Sequence, residues 1–164
     1  MKLTQKYAII QLIEPLDDGF EFGFGEDPLH VTLADVFAVD GDSSVMVPAL
    51  RESVSIAEPI TAKVVGTEMF GPDRNVQVKL VDRTEALVSL HEQVVEVLQK
   101  FNVQFNNPEF TLDGFKPHST VQKSSELQDG DEVVFNALTL IDMFPDDDGY
   151  RRRVIATISI IHTK

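Results

Sequence analysis

The sequence predicts an α+β fold: one domain of two related lobes, each a small, largely antiparallel sheet covered by a helix, with a central groove between them. Three observations carry this. Short β-branched or alternating apolar runs recur along the 164 residues, and two stretches with helical spacing interrupt them, one in each half. The resulting order is strand, strand, helix, strand, strand, then helix, strand, strand, strand. No Pro-, Gly- or Ser-rich linker separates the halves. Lobes near 1–83 and 84–164 are therefore expected to share a groove within a single domain.

The elements follow in order. Tyr7–Ile13 is a β-branched run closed by Glu14-Pro15 and the turn residues Asp17-Asp18-Gly19, which reads as a strand. A Gly- and Phe-rich loop, 20–28, leads to a short alternating strand at Leu29–Leu33. Val47, Leu50, Val54 and Ala57 recur at steps of three and four, with Pro48 suited to a first helical turn. Ile60–Gly66 and Val76–Val81 read as a hairpin around 70–75. Thr84 is an N-cap ahead of the stripe Leu87, Leu90, Val94, Leu98 and Phe101, an amphipathic helix. A strand is expected at 116–122, and a long hairpin at 132–144 and 150–162 around Pro145-Asp146-Asp147-Asp148-Gly149.

Composition narrows the function. Fourteen Lys and Arg face 27 Asp and Glu, a formal net charge of −13, and such a field repels polyanions at long range. A long duplex or a membrane surface is an unfavourable partner. With no cysteine, thiol nucleophiles, disulfides and thiolate metal sites are excluded. The apolar stretch 7–13 lacks a small-residue cleavage site, and the run 154–161 is far short of the roughly 20 residues that span a bilayer. A cytoplasmic monomer is the expectation.

Two of the four histidines open the same local pattern, His30-Val31-Thr32-Leu33 and His118-Ser119-Thr120-Val121, 88 residues apart. On a strand, residues i and i+2 share a face, so each motif presents an imidazole beside a hydroxyl. One such pair is weak evidence. Two, each in its own lobe and each introduced by a loop containing proline, would face one another across the groove.

On these motifs, together with Phe115-Lys116-Pro117 before the second and the strand pair 137–141 and 154–158, the chain resembles the two-histidine phosphoesterases. These include bacterial RNA 2′-5′ ligases and cyclic nucleotide phosphodiesterases. The resemblance covers most of the chain. It implies a bilobal fold with both motifs lining the groove, no metal or other cofactor, and chemistry at 2′-5′ or 2′,3′-cyclic phosphate linkages. In the first motif Leu29 separates the proline from the histidine, and Gln122 stands after the second motif where relatives often carry a basic residue.

The residues argue for the same chemistry. In-line displacement at phosphorus needs a base for the attacking oxygen and an acid for the departing one, and imidazole does either near its ordinary pKa of about 6.5. His30 and His118 are the expected pair, with Thr32 and Thr120 donating to the non-bridging oxygens. Lys116, Lys123, Arg153 and Tyr150 are candidate substrate contacts. The triplet Arg151-Arg152-Arg153 is expected mainly to neutralise Asp146–Asp148 across the hairpin, with one alternating member free to meet a phosphate. Phe24, Phe37, Phe70, Phe115, Phe144 and Tyr150 include possible base-stacking platforms.

The remaining motifs carry less. His91-Glu92-Gln93-Val94-Val95 lacks the second histidine of a zincin, so His91 reads as an exposed helix residue, and His162 as a strand-end or tail residue. Gly23-Phe24-Gly25 lacks the third glycine of a dinucleotide fingerprint, and Asp146-Asp147-Asp148-Gly149 fails the EF-hand pattern. Two functions fit: a metal-independent phosphoesterase acting on a small nucleotide or short RNA end, or a non-catalytic nucleotide-binding or acidic protein-interaction module. All four motif side chains favour the enzyme, since binding alone does not demand an acid and a base. The −13 charge further predicts that activity at low salt does not rise with RNA length. A kcat/KM series from dinucleotide to an RNA of about 30 nucleotides checks this, and a steady increase with length would contradict it.

Overall fold

The computed structural model describes residues 5–40, 43–123 and 125–162. Within them, ten strands and two α-helices follow in the order β1 (Gln5–Leu12), β2 (Glu21–Gly23), β3 (His30–Val39), α1 (Ser43–Ser53), β4 (Ile60–Phe70), β5 (Val76–Val81), α2 (Glu85–Gln99), β6 (Gln104–Phe105), β7 (His118–Thr120), β8 (Glu132–Phe135), β9 (Ala137–Asp142) and β10 (Arg151–Ser159). They build a six-stranded sheet, β2-β10-β9-β1-β3-β6, and a four-stranded sheet, β7-β5-β4-β8. The strand registers within both sheets are antiparallel. The α+β, bilobal architecture is thus as the sequence predicts.

Its chain order is not. Each sheet takes strands from both sides of residue 83, so the lobes are interleaved and the expected division at 1–83 and 84–164 does not match them. Nor does each helix serve one lobe. α1 packs on β10, whereas α2 packs on both β3 and β4 and so underlies the two sheets together. The physical reason is that antiparallel strands need not be neighbours in sequence: a buried face is satisfied by whichever strand completes it.

The long strand pattern 132–144 is divided. β8 pairs with β4 in the small sheet and β9 with β1 and β10 in the large one, the switch falling at Asn136. The buried Gln11 makes the crossing possible. Its Oε1 accepts hydrogen bonds from the N–H groups of Asn136 (2.9 Å) and Ala137 (3.1 Å), and its amide donates to the Leu12 carbonyl. Backbone donors at the switch, which neither ladder can satisfy, are thereby paired.

Helix α2 begins as expected, the Leu87 N–H donating to Thr84 Oγ1 at 3.2 Å, and it buries Leu87, Leu90, Val94 and Leu98. α1 starts at Ser43, earlier than the periodicity suggests, and Pro48 lies inside it, while Met46 and Leu50 supply the buried face. β7 is only three residues long, against the expected 116–122. Ile9, Leu33, Phe37, Val64, Val81, Leu90 and Phe135 join a core that runs continuously beneath both sheets. No helix among the described residues is long and apolar enough to cross a membrane.

Gln11→Leu keeps the volume but leaves two partly buried N–H groups without an acceptor, each costing about 1–2 kcal/mol. Urea unfolding followed by circular dichroism should show a loss of about 2–4 kcal/mol. A midpoint unchanged from wild type would mean that Gln11 does not hold the switch.

Candidate active site

The site starts from an irregularity in β3. Leu12 stands opposite His30 and Ile10 opposite Thr32, but Ile9 then pairs with Ala34 and Tyr7 with Phe37. β3 therefore carries an extra residue at Leu33 and another at Asp35-Val36. A bulge shifts the side-chain alternation by one. His30 and Thr32 face the groove, and beyond the bulge it is Asp35 that joins them, while Ala34 is buried. On β7, His118 and Thr120 share one face and Ser119 turns inward, fully buried. Among the described residues β7 pairs with β5 alone, and it lies beside β3 as the seam between the sheets.

Both motif histidines are held alike. His30 Nδ1 lies 2.8 Å from the Pro28 carbonyl, and His118 Nδ1 lies 2.7 Å from the Lys116 carbonyl. A carbonyl oxygen only accepts, so Nδ1 carries the proton in each ring and Nε2 is the atom whose protonation is free to change. Burial pushes the His118 pKa below the usual histidine range. The Lys116 carbonyl opposes this, His30 adds to it and Asp35 works against it. His118 thus feels both groove-facing charges of β3.

Two cavities meet at this seam, and both include Thr32 and Asp35 in their walls. The first contains His118, Lys116, Phe70 and Phe110; the second contains His30, Arg152, Asp27 and Phe22. Around His118, the Phe70 ring meets the imidazole edge to face with centroids 4.6 Å apart, and Phe110 stacks on Phe70 at 6.2 Å. The Lys116 ammonium lies 5.2 Å from the Phe70 centroid and pairs with Glu68. Asn107 donates to the Asp35 carboxylate at 3.0 Å.

His91 is not the exposed helix residue that its sequence position suggests. It is 1% exposed and lines the first cavity. Its Nδ1–H donates to the Leu33 carbonyl in the β3 bulge (2.6 Å), its Nε2 accepts from the Leu112 N–H (2.9 Å), and its ring stacks on Phe115 at 4.0 Å. One neutral imidazole thereby joins α2, the site strand and the loop 108–115 that carries Phe110. That loop needs holding. Leu112 adopts a positive φ of 59°, a strained conformation for leucine, and a Cβ on Gly114 would lie 1.8 Å from the Glu109 carbonyl oxygen. Arg83 adds a second tie, donating from Nε to the Phe115 carbonyl at 2.8 Å.

The other sequence-predicted contacts are spread out. Lys116 lines the His118 cavity. Thr120 shares the His118 face of β7 but is not in the wall of either cavity, and Lys123 lies past β7 among Gln122, Ser125 and Glu126. Tyr150 is 77% exposed and outside both cavities. Arg153 is engaged by Glu21 (2.6 Å) and Asp146 (2.7 Å), and Arg151 also pairs with Asp146. The intervening residue, Arg152, has the opposite strand parity, and it is this member of the triplet that reaches the His30 cavity. Of the aromatic candidates, Phe37 and Phe115 are buried and Phe70 faces the groove; Arg152 is the free member expected of the triplet, in place of Arg153, while Phe110 and Asp35 are not among the predicted residues. The His-x-Thr spacing offers no sign of these two, because Asp35 depends on a bulge and Phe110 on a distant loop.

The model of the 2′-5′ RNA ligase superfamily matches residues 8–146, and the chain belongs to that family. It is 35% identical over 106 residues to a Bacillus licheniformis protein provisionally named a phosphoesterase, the match covering 63% of this chain and 58% of that protein. The chain thus aligns with a little over half of that relative's length. Among solved structures, Escherichia coli LigT crystallised with 3′-AMP superposes with a TM-score of 0.59 at 14% identity, covering 98% of this chain and 100% of that one. A crystal structure described as a phosphoesterase gives 0.57 at 15% identity, covering 98% and 100%. A Thermus thermophilus protein, TT0787, gives 0.56 at 15%, covering 94% and 97%. At these identities the structures share the fold.

Burial pushes the His91 pKa below its ordinary value, against the pull of the Leu33 carbonyl. The unfolded chain therefore binds a proton near pH 6.5 that the folded chain refuses, and stability is lost as pH falls below about 6.5. His91→Phe retains the stacked ring but strands the Leu33 carbonyl and the Leu112 N–H, costing about 2–4 kcal/mol at neutral pH. Urea midpoints for both proteins at about pH 7.5 and 5.5, on either side of the ordinary histidine pKa, should show this cost and a shallower pH dependence in the variant. Identical midpoints at both pH values would contradict the bridging role.

Proposed function

We propose that this chain is a phosphoesterase that cleaves 2′,3′-cyclic phosphate or 2′-5′ phosphodiester linkages of small nucleotides or short RNA ends, with His30 and His118 as the acid–base pair and no catalytic metal. The observation that carries the reading is the matched tethering of the two imidazoles. Each Nδ1–H is spent on the carbonyl two residues back, which leaves each Nε2 to take or give a proton at the groove.

For a cyclic phosphate the steps balance as follows. Water attacks phosphorus and loses its proton to Nε2 of one histidine as the new P–O bond forms; the bond to one ribose oxygen breaks, and Nε2–H of the other histidine protonates that oxygen. The product is a phosphomonoester. His118, kept neutral at about pH 7 by burial, suits the base, and His30 then serves as the acid. Thr32, in the wall of both cavities, is the donor for a non-bridging oxygen. Family membership and the neighbours crystallised with 3′-AMP, ATP and phosphate support a nucleotide phosphate as the occupant.

The reading is tested by kcat/KM on a panel of 2′,3′-cyclic nucleotides and 2′-5′ diesters with EDTA present. Wild type turns over at least one class, and His30→Ala or His118→Ala lowers kcat/KM by about 10²–10⁴-fold. The acid limb of the profile falls below about pH 6.5, as the burial of His118 requires. Full activity in His118→Ala, a flat profile from about pH 5 to 9, or loss of activity to EDTA would refute the assignment. Failure to turn over any member would point to a binding module.

A further inference from the structure

The two cavities do more than accommodate one histidine each. Their volumes are similar, about 120 and 170 Å³, and both open to solvent, so a ligand would lie across them rather than be enclosed by either. Each also has its own apolar wall and its own cation. Phe70, Phe110 and Lys116 serve the His118 side; Phe22, Met143 and Arg152 serve the His30 side. Phe110 is 38% exposed and presents its face beside Phe70. At the other mouth, the Arg152 guanidinium lies 5.8 Å from the ring of Phe24, which is 71% exposed. Three backbone carbonyls, of Met143, Gly149 and Arg151, accept from Arg152 Nη1 and hold the guanidinium in place.

A mononucleoside cyclic phosphate carries one base. Set at the shared boundary, its phosphate lies between the histidines while one of the two walls stays open to water. A diester joining two nucleosides fills both. Asp27 in the His30 cavity is an available acceptor for ribose hydroxyls or base amines and would repel an additional phosphate there, while Asp35 on the boundary is held by Asn107.

We infer that the groove is built for a diester flanked by a nucleoside on each side, one stacked at Phe70 and Phe110 and the other held at Arg152 and Phe24, in preference to a mononucleoside cyclic phosphate. The inference rests on the proposed phosphoesterase reading, and it names Phe110 and Arg152 as specificity-determining residues on opposite sides of the scissile bond.

Binding separates this preference from intrinsic reactivity. In the His30→Ala protein, titration calorimetry with 2′-5′-linked adenylyl-adenosine and with adenosine 2′,3′-cyclic phosphate should give a Kd about 5- to 100-fold lower for the dinucleotide, the fold-change of one further stacked base. Adding Phe110→Ala or Arg152→Gln should each weaken dinucleotide binding about fivefold or more. Phe24→Ala, at an exposed ring, repeats the second arm without disturbing the carbonyl contacts of Arg152. Equal Kd values for the two ligands, or loss of affinity on only one side, would overturn the inference and leave the phosphoesterase reading intact. Absence of turnover of either compound by the wild-type protein would defeat that reading, while the Kd ratio still decides the two-sided groove.

Discussion

The molecule depends on keeping β3 and β7 side by side without letting them pair. Were these two edges to zip together, the sheets would become one and the groove would close. Along its first half β3 is paired on the β1 side, and β6 reaches only Phe37 and Ala38. The open edge is an invitation to another strand. Part of it is taken instead by a side chain, since the Leu33 carbonyl accepts the Nδ1–H of His91. Helix α2 beneath both sheets and the β8–β9 crossing beside Gln11 hold the two surfaces at their spacing. The seam is thus stabilised by a helix, a strand crossing and side-chain hydrogen bonds rather than by pairing across it.

Its chemistry follows from that geometry. Two unlike peptides, Pro28-Leu29-His30 and Lys116-Pro117-His118, reach the same result: a carbonyl two residues before the histidine accepts the Nδ1 proton. A tethered imidazole changes protonation at one defined atom. The bulge at Leu33 then brings Asp35 to the same surface as His30 and Thr32. One irregularity in a strand thereby sets the composition of the site, which is how bulges beside active sites act in general.

The −13 net charge still leaves cations at the groove because the basic residues are sorted. Arg151 and Arg153 are consumed by Asp146 and Glu21 at the surface, whereas Arg152 stands at one cavity and Lys116, paired with Glu68, at the other. At a few ångströms the field of such a side chain exceeds a diffuse one that salt screens over about 8–10 Å.

Local pattern was legible where it is decided locally. Thr84 caps α2, the 60–81 hairpin forms, and both His-x-Thr pairs lie on strands with their polar members on one face, because a helical or strand period needs no knowledge of the rest of the chain. Sheet membership was not, because pairing of distant strands is settled by which faces complete a common core. That is why 132–144 splits between two sheets at Asn136. For the same reason His91, polar and on a helix, is buried: its partners Leu33 and Leu112 lie 58 and 21 residues away. The sequence by itself determined the element types, the acidic character and the two histidine–threonine pairs. Only the tertiary structure decided that the lobes interleave, that Asp35 and Arg152 rather than Arg153 face the groove, and that two walled cavities meet there. Those outcomes depend on register, bulges and long-range hydrogen bonds, which no local period encodes.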